Sequence, residues 1–302
     1  MNDICAVSDL DREICPHCGD SSRTVPMPRE PGLYPDVPED EYHADTSSLS
    51  STGARTLLDT VPAQWLYDRD HPAETEPNEV MEFGTAVHTL TLGVGADVVE
   101  VKAENWKRKA EQERRKELRA AGVVPLLTHQ MRAAKAMAHN VRSHPKLARA
   151  LRHGTPEVSG YWRDPATGVL LRLRADCLFT APSGASIGID VKTADTADPK
   201  KFEKGIEKFG YDQQDDWYTT GLTELLGERP AFVFAVVAKK PPHFVKVVEL
   251  RPIWLERGRR RNREAIEIYA RCLESGHWPD WGEDIHQADM PAYLLRKEEY
   301  AR

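Results

Sequence analysis

Asp190 and Lys192 stand two apart in IGIDVKTAD (187–195), between Ile187, Ile189 and Val191. On a strand, alternate residues share a face, so this carboxylate and ammonium project together while their apolar neighbours face the other way. By itself Asp-x-Lys reads as a salt-bridged strand pair, because burying either charge alone is costly. Asp176 shifts that reading. It lies in LLRLRADCLF (170–179), a second alternating segment joined to the first by the turn APSGAS, so a hairpin carries Asp176 to Asp190. Two carboxylates brought close repel when ionised, and a divalent cation offsets that cost. Mg²⁺ suits oxygen ligands and retains waters for phosphate chemistry. Lys192 is then placed to stabilise charge developing on a phosphate or to orient an attacking water. Glu157 is either a further acidic ligand or water-positioning group, or a simple surface Glu near a strand start.

The elements that must position these residues are legible as periodicity. TSSLSSTGARTLLDTVPAQWLYDRD (46–70) predicts a helix capped by Ser50 or Ser51 and interrupted at Pro62. A second helix covers roughly 80–93, where Phe83, Val87 and Leu90 form an apolar stripe with His88 beside it. That histidine reads as a hydrogen-bonded, partly buried side chain, or as a ligand if carboxylates reach it from elsewhere. A long Ala-rich helix follows over 128–151, divided by Pro145. In the first strand of the hairpin, Leu171, Leu173, Ala175, Cys177 and Phe179 are expected on one face, with Arg172, Arg174 and Asp176 on the other. A helix within 211–226, strands at 231–238 and 241–250, and a final helix over about 255–274 complete the chain. Helices, a strand hairpin, a helix, two strands and a helix predict one α/β domain over 46–302.

Composition bounds the rest. The 302 residues, 40% hydrophobic and 29% charged, fit a soluble globular protein. No apolar run approaches the roughly 20 residues that cross a bilayer, and the opening MNDICAVSDLDRE is not a secretory signal. Five scattered cysteines argue against a disulfide scaffold and for a reducing compartment. Residues 1–45 hold eleven Asp or Glu against three Arg and read as a poorly ordered acidic arm. Within it CPHC (15–18) has the spacing of zinc and redox sites. Only Cys5 and His17 lie nearby, short of a closed four-ligand set. The net charge of −7 gives no general support for nucleic-acid binding, although a local basic track can bind phosphate. Two tracks exist, 102–119 and 251–263, and each reads equally well as a solvated helix face.

Taken together, FGTAVH (83–88), PEVSG (156–160), LRADCLF (173–179), GIDVKTAD (188–195) and YDQQDDWY (211–218) resemble the PD-(D/E)xK nuclease superfamily. Their order and spacing are most similar to the phage and prophage RecE-like exonucleases, relatives of RecB-type nuclease domains. The resemblance implies a restriction-endonuclease-like fold, with a mixed central sheet flanked by helices and a helical N-terminal elaboration. It implies His88, Asp176 and Asp190 as metal ligands with the Val191 carbonyl, Glu157 as the acidic residue before the hairpin, and Lys192 as the catalytic lysine. Gln214 and Tyr218, one helical turn apart, match the Gln-x-x-x-Tyr element and suit holding the lysine or a DNA phosphate. Ala175 stands where the family motif has Pro, and the second acid is Asp rather than Glu. A single late cysteine, Cys272, does not support an iron–sulfur cluster. The implied activity is Mg²⁺-dependent degradation of double-stranded DNA from its ends, 5′ to 3′, with Mn²⁺ as a substitute ion. It would leave 3′ single strands for an annealing recombination protein. A homo-oligomeric ring and the cytoplasm of a prokaryotic or phage-infected host cell are implied with it. The alternatives are a structure-selective or single-strand endonuclease, and a nuclease-derived DNA-binding or recombination scaffold.

Overall fold

The computed structural model describes residues 29–72, 78–294 and 296. A central sheet is built from β1 (Gly32–Tyr34), β2 (Leu49–Ser50), β5 (Thr155–Arg163), β6 (Leu170–Thr180), β7 (Ser186–Ala194), β8 (Ala231–Ala238) and β9 (Val245–Val248). Its order is β1-β5-β6-β7-β8-β9, with β2 added beside β6. The pairs β5–β6, β6–β7 and β8–β9 are antiparallel and β7–β8 is parallel. A parallel pair requires a crossover, here α8 (Pro199–Phe209) followed by α9 (Tyr211–Leu226). The sheet is therefore mixed and helix-flanked, as the sequence predicts.

Alternation along β8 distributes the helices. Val233, Ala235 and Val237 face a core with α4 (Glu79–Leu92), α6 (Thr128–Ser143) and α7 (Ala148–His153). Phe232, Phe234 and Val236 face α8. On the α8 side, a second core joins α2 (Ser51–Asp59), α3 (Pro62–Asp70), α9 and α10 (Pro252–Ser275) around Trp217, Trp162 and Leu173. A small parallel sheet, β3 (Val98–Val101) with β4 (Val124–Leu127), carries α5 (Lys109–Ala120) outside α4.

Both basic tracks are partly consumed by internal ion pairs. From α5, Arg115 and Arg119 clamp Glu82 of α4 at 3.0 and 2.6 Å. From α10, Arg257 pairs with the buried Asp212, Arg259 with Asp216 at 3.3 Å, and Arg263 bidentately with Asp164 at 2.8 and 3.0 Å. The α9–α10 crossing is close because Gly258 lacks a side chain; a Cβ there would lie 2.1 Å from the Asp212 carbonyl oxygen.

Two expectations change. Residues 29–45, assigned by composition to the acidic arm, are structured. β1 pairs with the free edge of β5, and α1 (Glu39–Ala44) buries Tyr42. Acidic composition did not reveal this because three residues of edge pairing supply the order. Residues 1–28, including the CPHC pair, lie outside the described residues. The single-faced alternation expected of β6 also fails. Leu171, Leu173 and Ala175 join the core beneath α9, whereas Cys177 and Phe179 pack with the opposite core. The strand changes face at Asp176, level with Glu157 of β5, which is itself in the left-handed region at φ 51°.

Candidate active site

The change of face coincides with a fork in the sheet. The β6–β7 ladder runs from Thr180↔Ser186 to Cys177↔Ile189 and stops; the next rung would set Asp176 against Asp190. Further along the same edge of β6, β2 pairs with Leu171 and Arg172. Backbone groups between the two partners lose their ladder bonds and must be satisfied otherwise. The Val191 N–H accordingly donates to Asp176 Oδ2 at 2.6 Å. A cleft of about 1920 Å³ opens along this gap, lined by the start of α2, by α4 and by His88, Glu157, Asp176, Lys192 and Tyr218.

Side chains from both faces of the sheet meet at the fork. His88 of α4 places Nε2 3.0 Å from Asp176 Oδ2 and Nδ1 3.4 Å from Glu157 Oε1. The three residues offer one ligand atom each within 4.8 Å of one another, a donor set able to hold a metal ion. Burial opposes charge on His88, but Asp176 and Glu157 outweigh it and push the imidazole up to about 9. Burial likewise pushes Glu157 up to about 7 despite the pull of His88. Burial also works against ionised Asp176, yet His88, Lys192 and the Val191 N–H hold its carboxyl below the usual range.

Asp190 faces the α9 side and is only 3% exposed. Gln214 Nε2 donates to its Oδ1 at 2.6 Å, and Lys192 Nζ lies 2.8 Å from Oδ2. Burial pushes Asp190 up to about 6 against the attraction of Lys192. Burial would lower Lys192, but Asp190 and Asp176 raise it. Its ammonium stands 5.2 Å from the centroid of the Tyr211 ring and 5.9 Å from that of Phe234, a cation–π setting that fixes its direction. Tyr218 is partly buried, edge-on to Phe232 at 5.5 Å, one helical turn along α9 from Gln214.

His88, Glu157, Asp176, Asp190, Lys192, Gln214 and Tyr218 are thus brought to one fork. Gln214 grips Asp190, where the sequence suggested the lysine or a phosphate. Of Val191, the N–H is engaged with Asp176. Sequence reasoning assigned no role to Tyr211, three residues before Gln214 on the same helical face, nor to Arg172, Arg174 and Tyr42. Arg172 and Arg174 stack on the Tyr42 ring at 5.2 and 4.3 Å and line the cleft beside Asp176. The signal for both arginines was their shared alternation with Asp176.

Known proteins bear on this geometry. The model of one family, described as a PDDEXK-like domain of unknown function (DUF3799), matches residues 50–290. Among solved structures, a protein from Eubacterium rectale named as a "putative exonuclease" superposes with a TM-score of 0.58 at 13% identity. The match covers 86% of this chain and 98% of that one. The structure of SSO0001 aligns over 63% of this chain and 87% of its own at 15% identity, with a TM-score of 0.27. A comparison with curated proteins finds no match.

Proposed function

Because the chain belongs to the PDDEXK-like DUF3799 family, we propose that it is a divalent-metal-dependent deoxyribonuclease whose site is the fork at Asp176 and Asp190. The observation that carries this reading is the convergence of one imidazole and two carboxylates within 4.8 Å, beside an Asp190–Lys192 pair at 2.8 Å. The donor chemistry fits a divalent cation. In addition, Asp190 lies buried beside this set, its two oxygens met by Gln214 and Lys192. His88, Glu157 and Asp176 would hold the ion, with Asp190 and the Val191 carbonyl completing the set. A cation bound there supplies Lewis-acid stabilisation to the phosphate oxygens. Lys192, aimed by Tyr211 and Asp190, orients the attacking water and stabilises the charge gathering on phosphorus-bound oxygen. Gln214 fixes Asp190. Mg²⁺ is the proposed ion, with Mn²⁺ as substitute.

The finer reading is an exonuclease acting on duplex ends, 5′ to 3′, in the manner of the RecE-like enzymes, leaving 3′ strands for an annealing recombination partner. The cleft and the name of the Eubacterium rectale relative support it. Purified protein is incubated with Mg²⁺ or Mn²⁺ and linear duplex labelled at either end, circular duplex, or circular single strand. Loss of linear duplex alone is expected, and cleavage of circles would overturn the exonuclease reading in favour of an endonuclease. Lys192→Ala should abolish cleavage while preserving DNA binding. Wild-type turnover in that variant would remove the lysine from the mechanism. A folded, metal-loaded wild type that cleaves nothing would leave the scaffold reading.

A further inference from the structure

Helix α8 buries one face and exposes a row of ammonium groups on the other. Phe202 and Ile206 seat in the core with Phe234 and Val236. On the outward face Lys200, Lys204 and Lys208 recur every four residues, with Lys201 beside them, and all four are exposed. At 1.5 Å rise per residue the recurrence spaces the charges by about 6 Å. Like charges at this spacing repel one another along the helix.

Among the described residues, none of the four lysines forms a salt bridge; Glu207 on the same helix is taken by Arg257 at 2.8 Å. This separates the row from the arginine track of α10, where Arg257, Arg259 and Arg263 are committed to buried carboxylates.

The row also has a defined place. α8 follows directly from β7, which carries Asp190 and Lys192. Phe202 stacks on Tyr211 at 5.1 Å, and the Tyr211 ring holds Lys192. At its other end α8 meets α2, where the Arg55 guanidinium donates to the Phe209 carbonyl. Ser51, Thr52, Gly53 and Thr56 of α2 line the cleft. The Lys208 end of the row therefore lies beside Arg55 of α2, whose neighbours line the cleft, and the row continues along Lys204 to Lys200 and Lys201.

We infer that this face of α8 is a track for the phosphate backbone of the DNA segment lying outside the cleft. The inference rests on the nuclease reading above and adds the surface that holds the uncut part of the substrate. Backbone contacts of this kind carry affinity and position without sequence preference.

The test measures duplex binding by fluorescence anisotropy in EDTA, where cleavage is suppressed, over a salt series. The wild type is compared with K200Q/K204Q/K208Q and with K135Q/K146Q/K246Q, which removes the same charge from exposed lysines elsewhere. Each phosphate contact contributes roughly 0.9 to the slope of log affinity against log salt. The α8 variant should lose roughly 2–3 from the slope and bind about 10-fold or more weakly at 0.1 M salt, whereas the control should keep the wild-type slope. Equal behaviour of the two variants overturns the inference, including the case in which the row instead receives an acidic protein. A wild type that binds no duplex overturns it as well. A wild type that binds through α8 but never cleaves with metal defeats the nuclease reading while leaving the track in place.

Discussion

Replacing Gln214 with Leu removes the donor that holds Asp190 and nearly preserves the volume of the side chain. The lost contact is a 2.6 Å hydrogen bond to a carboxylate that is 3% exposed. Hydrogen bonds to charged groups contribute about 1.5–3 kcal/mol, so the unfolding equilibrium should shift by roughly 10- to 100-fold while Asp190 is ionised. The folded protein raises Asp190 to about 6, above its unfolded value, chiefly by burial. Such a carboxyl binds its proton more tightly folded than unfolded, so falling pH through that window favours the folded state. In Gln214→Leu the ionised form loses further support, and protonation relieves more of the penalty. Urea unfolding in EDTA at pH 7.5 should show a loss of about 2 kcal/mol, and at pH 5 less than half of it. Equal losses at both pH values, or none at pH 7.5, would refute the role given to Gln214.

Arg263→Gln should cost about 1–3 kcal/mol, because Asp164 loses a bidentate partner that is itself one-third exposed. Burial works against the ionised Asp164 carboxyl, but Arg263 and Thr167 hold it below its usual range. Its contribution is therefore present above the unfolded value and lost as pH falls through the folded one. Acid titration of both proteins by circular dichroism should show the gap closing below about pH 4. Gly258→Ala pushes a methyl into the Asp212 carbonyl, a backbone clash, and should cost about 3 kcal/mol or more in thermal unfolding. With His88 raised to about 9, holding a cation requires it to shed a proton. Calorimetry with Mn²⁺ at pH 7 in two buffers of different ionisation enthalpy should show roughly one to two protons released, from His88 and in part from Glu157, with affinity rising towards pH 9. Absence of release, or unchanged release in His88→Ala, would remove His88 from the ligand set.

The regular elements were legible where periodicity was strong. α9 occupies Tyr211–Leu226 and β8 Ala231–Ala238, the spans predicted for them, and the long Ala-rich helix breaks around Pro145 into α6 and α7. Helix α8 was not visible, since Phe202 and Ile206 are its only buried residues among lysines and glutamates. β3 and β4 were missed because four residues apiece carry too little pattern, and Pro125 interrupts one of them. The juxtaposition of Asp176 and Asp190 followed from hairpin register. The facial switch at Asp176 did not, because it depends on where two strands part and on the φ of Glu157. For the same reason the Gln214–Asp190 contact and the Tyr211 ring beneath Lys192 needed the fold, which alone sets how α9 lies across the sheet.

The fork also joins near and distant parts of the chain. Glu157, Asp176 and Asp190 sit on three consecutive antiparallel strands, whose pairings close over short loops and can form early. Those strands crowd three carboxylates together, offset within the hairpins by Lys192 beside Asp190 and Arg174 near Glu157. His88 arrives from a distant segment, on a helix braced from outside by the grip of Arg115 and Arg119 on Glu82. When α4 docks, the imidazolium adds a further positive charge between Asp176 and Glu157. The histidine thus ties the helix to the sheet, and a cation that displaced its proton would have to take over that fastening.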